Sequence, residues 1–294
     1  MTRDTEDKIL RKLEELEAQE GRLPAPLELY RRILAAQAEA KASLAASPIK
    51  SGPLSAEAIA PMESGLIAGV PLLSFEKQAV DWAAVQRLLR KVSAIVVEYL
   101  EDAAKEAAGL ESLAADLPAL EKAAQAWYEC SPLSSFAEAK GVSEELLSFV
   151  LQTTLHPFLA SNSEALISSI DQELWHRGYC PICGGVPDFA ILTKDLGTRW
   201  LLCSRCDAEW LFQRLQCPYC GNQDQNTLAY FTDDSELYRL YVCEACRRYI
   251  KAIDLRRTGE EILLPLERIL TAEMDDQAQE EGYEPAPPCL PHNP

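Results

Sequence analysis

Eight of the ten cysteines stand as four Cys-x-x-Cys pairs between residues 180 and 246: "CPICGG" at 180–185, "CSRC" at 203–206, "CPYCGN" at 217–222 and "CEAC" at 243–246. A Cys-x-x-Cys turn places two sulfurs on one side of a tight loop. Two such turns facing each other make the tetrahedral four-sulfur cage that suits zinc or a single iron. Nineteen residues separate Cys183 from Cys203 and 22 separate Cys220 from Cys243, each the length of a hairpin. Spacing therefore groups Cys180, Cys183, Cys203 and Cys206 as one site and Cys217, Cys220, Cys243 and Cys246 as a second. An interleaved arrangement stays open but closes larger loops. Gly184 and Gly221 fit positions that need positive φ, and Pro181 and Pro218 pre-set φ inside their turns. Ribbons this small have little core, so the metal is expected to hold them folded.

Other cysteine chemistries fit less well. A thioredoxin-type site uses one pair at a helix start, and iron–sulfur clusters show tighter triplets of cysteines. His176 lies four residues before Cys180, but four sulfurs already complete that site. Cys130 and Cys289 read as small hydrophobes of a core and a tail. No Ser-His-Asp set, phosphate loop or His-Glu-x-x-His motif is present, so no catalytic residues are assigned and the chain is expected not to be an enzyme.

Charge and length bound the setting. The 294 residues carry 46 acidic against 28 basic side chains, a formal charge of −18. Two divalent ions in four-thiolate cages would take this to about −22. Such a field repels phosphate backbones and argues against nucleic acid as a partner. Even the stretch 180–257 is neutral, with ten Lys or Arg against ten Asp or Glu. The start, "MTRDTEDKILRKLEELEAQE", is amphipathic and lacks the apolar core of a secretory signal, and no apolar run reaches 18 residues. A cytoplasmic setting with reduced thiols, and no membrane insertion, is the expectation.

The elements that must position the cages come in two styles. Residues 1–177 read as a helical domain. Its clearest stripe runs over 81–109 through Val85, Leu88, Leu89, Val92, Val96, Tyr99, Leu100 and Ala103, with Gly109 as the stop. A second helix follows Ser143, with Glu144 and Glu145 in its first turn and a stripe of Leu146, Leu147, Val150, Leu151, Leu155 and Phe158. Weaker helices cover 5–20, 26–45, 117–129 and 164–176. The Pro-, Gly- and Ser-rich 46–75 reads as a long connection with at most one short helix. At 177–179 the pattern changes to short strands: "DFAIL", "RWLLC", "EWLFQRL", "TLAYF", "LYRLYVC" and "RYIKAI". The result is an α+β chain: a helical domain, a first four-cysteine ribbon at 178–215, a second at 216–260, a C-terminal helix at 261–284 and a disordered tail at 285–294.

"RGYCPICGGVP", "RWLLCSRCDAEWLFQRLQCPYCGN" and "YVCEACRRYIKAID" resemble the FdhE family of formate dehydrogenase accessory proteins. The most specific features are the second pair, Glu209-Trp210 after it, Arg214, and the next pair, which starts after ten residues that follow Cys206. "GVPLLSF" (69–75) and "DDQAQEEGYEP" (275–285) are similar to that family too. The resemblance implies a cytoplasmic assembly factor that binds the catalytic subunit of a molybdenum- or tungsten-containing formate dehydrogenase and assists its maturation. It also implies rubredoxin-like sites associated with iron, although "CSRCD" and "CEACR" lack the glycine that rubredoxins place after both pairs. Iron and zinc both remain open, as does a homodimer. On this reading Trp210, Tyr219, Arg247 and Arg248 are candidates for an exposed partner-binding face, with Trp200, Lys251, Arg256 and Arg257 nearby. Two other functions compete: a rubredoxin-like electron carrier and a nucleic-acid-binding zinc-ribbon protein.

Overall fold

The computed structural model of the protein describes residues 3–44, 63–78 and 80–290. Most of the 46–75 connection and the last four residues lie outside them. The chain divides into two compact units, one drawn from 1–51 and 75–162, the other from 52–74 and 163–294.

The first unit is helical, as the apolar periodicity requires. Its central helix, Trp82–Tyr99, is capped by Asp81, whose carboxylate accepts from Ala84 N at 3.1 Å. It buries Val85, Leu88, Leu89, Val92 and Val96. The helix ends earlier than the stripe suggests, at Leu100, whose backbone is extended. Two shorter helices, Glu101–Lys105 and Ala107–Ala115, continue the chain. Gly109 is therefore not a stop but a contact: a Cβ there would lie 2.2 Å from Lys140 O, so only glycine lets the segments approach. Helix Glu144–Leu166 runs through Pro157, and Leu147, Val150, Leu151, Leu155 and Phe158 are all buried.

The second unit is built on six strands: β1 (Pro187–Leu192), β2 (Arg199–Cys203), β3 (Glu209–Leu211), β4 (Leu228–Thr232), β5 (Tyr238–Cys243) and β6 (Arg248–Asp254). Each expected strand segment is present. Each ribbon is a three-stranded antiparallel unit, but the two are joined edge to edge in the order β3-β2-β1-β6-β5-β4. The junction is a parallel pairing of β1 with β6, Phe189 opposite Lys251 and Ile191 opposite Ile253. Phe189, Ile191, Leu202 and Ile253 share one apolar cluster across that seam. Joining there removes two open sheet edges and completes a core that neither ribbon has alone.

One face of the sheet is covered by the C-terminal segment, where Leu240, Val242 and Tyr249 meet Ala278 and Tyr283. The single helix expected over 261–284 is two, Leu264–Leu270 and Ala272–Glu280, broken at Thr271. The break has a physical reason. Buried Lys251 donates to Arg268 O at 3.0 Å and Thr271 O at 3.3 Å, carbonyls that an unbroken helix would use itself, and pairs with Asp275. Past the helices Glu284 is hydrogen-bonded to Arg247 and Tyr249, and Arg248 donates to Pro285 O at 2.5 Å. Leu290 is buried. Pro285, the first residue of the segment expected to be disordered, is thus held by an arginine contact that Pro-rich composition does not report.

Candidate metal centres

Each knuckle is a turn closed by its own backbone. In all four, the residue after the second cysteine has positive φ: Gly184 (72°), Asp207 (55°), Gly221 (74°) and Arg247 (55°). Its N–H donates back to the carbonyl of the first cysteine, at 3.0, 3.3, 3.0 and 2.8 Å respectively. The two knuckles without glycine therefore adopt the same geometry as those with it. Holding a side chain in this left-handed conformation costs about 1 kcal/mol, and both side chains have partners that offset it. Asp207 accepts from Arg268 Nη1 at 2.6 Å. Arg247 stacks 4.0 Å over the Tyr283 ring and pairs with Glu244 at 2.6 Å.

These turns bring the eight cysteines together as spacing grouped them. Cys180, Cys183, Cys203 and Cys206 form one cluster and Cys217, Cys220, Cys243 and Cys246 the other, the sulfurs of each lying within 4.8 Å of one another. Sulfur–sulfur contacts are 3.4–3.6 Å in the first and 3.7 Å in the second. A tetrahedron with metal–sulfur bonds of about 2.3 Å has edges of about 3.8 Å, so both clusters fit a tetrahedral ion. Backbone N–H groups of Ile182, Gly185 and Arg205 point at sulfurs of the first cluster, each at 3.4 Å. The Asn222 amide lies 3.6 Å from Cys243 Sγ in the second. Such donors stabilise thiolates but cannot carry their charge. Burial pushes the Cys180 and Cys206 thiols well up and the Cys246 thiol to about 11, so four thiolates require a cation among them.

The two cages differ in surroundings. All four sulfur residues of the first are buried, whereas in the second Cys220 is exposed and Cys246 half-exposed. The first cage rests on a support the sequence did not reveal. Leu72 N and Leu73 N donate to Pro181 O and Ile182 O, both at 2.9 Å, so residues 69–73 lie along the first knuckle. Tyr179 donates to Gly69 O at 2.7 Å, and Trp175, wholly buried, donates to Tyr179 O at 2.8 Å. The only sequence trace of this contact is the "GVPLLSF" stretch.

The other candidate residues fall differently. Trp210 is fully buried and its indole donates to Arg177 O at 3.0 Å. It is ribbon core, because a ring on the inward side of β3 finds its apolar contacts there, and it cannot present an exposed face. Tyr219 is partly buried and its hydroxyl donates to Pro187 O at 3.1 Å. Arg248 is half-buried against Glu284 at 3.0 Å, while Arg247 is exposed but engaged by Glu244 and Tyr283. Lys251 is buried on Asp275, and Arg256 and Arg257 pair with Asp254 and Glu236. The basic residues near the second cage are thus largely neutralised by this chain's own acids. His176 is exposed and belongs to neither cluster.

Among the described residues no helix is long and apolar enough to cross a membrane. Residues 179–214, which carry the first cage and β1–β3, match the family model described as FdhE, central domain. A protein FdhE homolog of Aquifex aeolicus is 37% identical over 158 residues, 52% of this chain and 54% of that protein. One from Shewanella oneidensis is 32% identical over 96 residues, 32% of each. The match therefore spans about half or less of the length of these curated relatives. The crystal structure of the FdhE protein from Pseudomonas aeruginosa covers 100% of this chain and 98% of its own, with a TM-score of 0.63 at 20% identity, which is a likeness of fold. Residues 179–214 match the FdhE central domain model, and the chain is similar to FdhE proteins in sequence over about half its length and in fold over all of it.

Proposed function

We propose that this protein is an FdhE-type accessory factor of formate dehydrogenase assembly. It binds two metal ions through its eight paired cysteines and engages the catalytic subunit of a molybdenum- or tungsten-containing formate dehydrogenase during maturation. The observation that carries this reading is the FdhE central domain at 179–214, folded around a complete four-sulfur cage. The geometry supports a binding role. The first cage is enclosed and braced, as a structural metal would be. The second opens at Cys220 and Cys246, beside exposed Arg247, and offers a rigid surface for docking. In this reading Arg247 and Arg248 act by closing the rim of that surface.

Iron in the second cage would favour a second role, electron transfer, because the exposed Cys220 brings an ion close to the surface. Both roles are separable by experiment. Protein purified without oxygen should hold two metal ions per chain and should recover the formate dehydrogenase catalytic subunit from its own cytoplasm. Metal-free folded protein, or metal-loaded protein that recovers no such subunit, would contradict the proposal. Visible absorbance bleached reversibly by reductant would mark iron and the second role; a colourless zinc protein would exclude it.

A further inference from the structure

The sheet face opposite the C-terminal helices holds a cavity of about 260 Å³ between β4–β6 and the loop 214–219. Its floor is a row across three strands, Tyr230 opposite Tyr241 opposite Ile250. Leu215, Pro218 and Leu228 add apolar walls. Its charged lining sets three arginines against two sulfurs of the second cage, Cys217 and Cys243. Arg199, Arg214 and Arg248 line it, and no Asp or Glu does among the described residues that form it, in a chain of charge −18.

Arg199 is the unusual member. It is only 2% exposed, and no carboxylate among the described residues pairs with it. Its Nη2 donates to the carbonyls of Gln213 and Gln216, its guanidinium lies over the Tyr241 ring, and its Nε has no partner. A buried guanidinium N–H without an acceptor is costly, and with Nη2 already engaged the Nε–H is left to donate to one oxygen of a carboxylate. The Tyr241 hydroxyl, buried in the same cavity, also has no partner. Both residues line this cavity, and native proteins rarely leave buried donors unsatisfied unless something else satisfies them.

We propose that this cavity is a binding site for a monoanionic carboxylate carried on an apolar or aromatic body, held by Arg199 and Tyr241 with its body against Tyr230, Ile250 and Leu228. The wall residues select against a bare, strongly hydrated anion, since they offer contact area and few further donors. The site adjoins the proposed docking surface, sharing Arg248 with its rim, but does not depend on the role in assembly. Cys217 and Cys243, two ligands of the second cage, also line the cavity. A test must therefore follow metal content together with ligand binding.

The test is titration calorimetry on the full-length, metal-loaded protein with 3-phenylpropionate, its amide, N-acetylphenylalanine, N-acetylphenylalanine amide and inorganic phosphate. Both acids are expected to bind saturably, with each amide at least about tenfold weaker, the size of a lost hydrogen bond to a charged group. A preference for 3-phenylpropionate would identify the ligand as a free acid, and one for N-acetylphenylalanine as a peptide terminus. Tyr241→Phe removes a hydroxyl that has no partner to lose. It should weaken acid binding about tenfold while melting temperature and metal content stay unchanged. Arg199→Gln should abolish binding with two metals still bound. Acid and amide binding alike, no saturation by either acid, or phosphate binding as well as the acids would each overturn the assignment.

Discussion

Arg268 is the residue on which the C-terminal segment grips the first cage. Its Nη1 donates to Asp207 at 2.6 Å and its Nη2 to Cys203 O at 2.6 Å, with Asp188 3.0 Å away. Asp207 and Cys203 are the closing and opening residues of one knuckle, so a single guanidinium clamps both ends of that turn. Arg268→Gln removes the charge while keeping part of the side chain. It takes the Arg268 guanidinium away from the Asp207 carboxylate, which is 6% exposed. Breaking one partner of a buried pair costs about 3–5 kcal/mol, and the half-exposed Asp188 adds little. For a unit of this size the melting temperature should fall by about 6–20 °C. The first cage should also surrender its metal to a chromogenic chelator faster, reversing the order expected from the greater exposure of the second. Adding Asp207→Asn to Arg268→Gln should restore much of the loss, because the amide leaves no buried charge. A loss below about 1 kcal/mol for Arg268→Gln, or unchanged chelator kinetics at the first cage, would refute the clamp.

Two further outcomes follow from particular contacts. Gly178→Ala would place a Cβ 1.8 Å from Pro218 O, inside the first knuckle of the second cage. The clash should cost about 1–3 kcal/mol in urea unfolding and speed metal release, and wild-type behaviour would show that the contact relaxes freely. Asp254, buried against Arg239 and Arg256 at 2.7 Å each, has its pKa held down to about 2, chiefly by the Arg256 hydrogen bond. A carboxylate whose folded pKa is depressed stabilises the fold above its unfolded value and loses that contribution as pH falls. The stability difference between wild type and Asp254→Asn should therefore hold from about pH 7 to 5. It should then shrink by roughly 1–2 kcal/mol towards pH 3 in urea titrations with metal content checked at each pH. A difference independent of pH would show that Asp254 is not depressed.

Sequence alone determined the parts of this protein that depend on short-range chemistry. The cages were legible because a knuckle needs only two cysteines three apart and a residue able to turn left after them. Hairpin-length spacing then chose which knuckles could meet. The strands were legible from runs of β-branched and aromatic residues between turn residues, and the stripe over 82–99 from its period. Tertiary structure decided whatever rests on contacts between distant segments. The parallel β1·β6 seam, the run of 69–73 along the first knuckle and the clamp by Arg268 all join residues far apart in the chain, and no local pattern encodes such pairings. Asp207 and Arg247 show the division most directly. Their lack of glycine departs from the rubredoxin pattern in sequence, and partners on the C-terminal segment offset the strain that glycine would have avoided. Trp210 shows it from the other side: Glu209-Trp210 was recognisable, but whether the ring faces solvent or core depends on strand direction and on what packs against it. Likewise the unpartnered Nε of Arg199 has no signature in sequence, since whether a donor finds an acceptor is a property only of the folded chain.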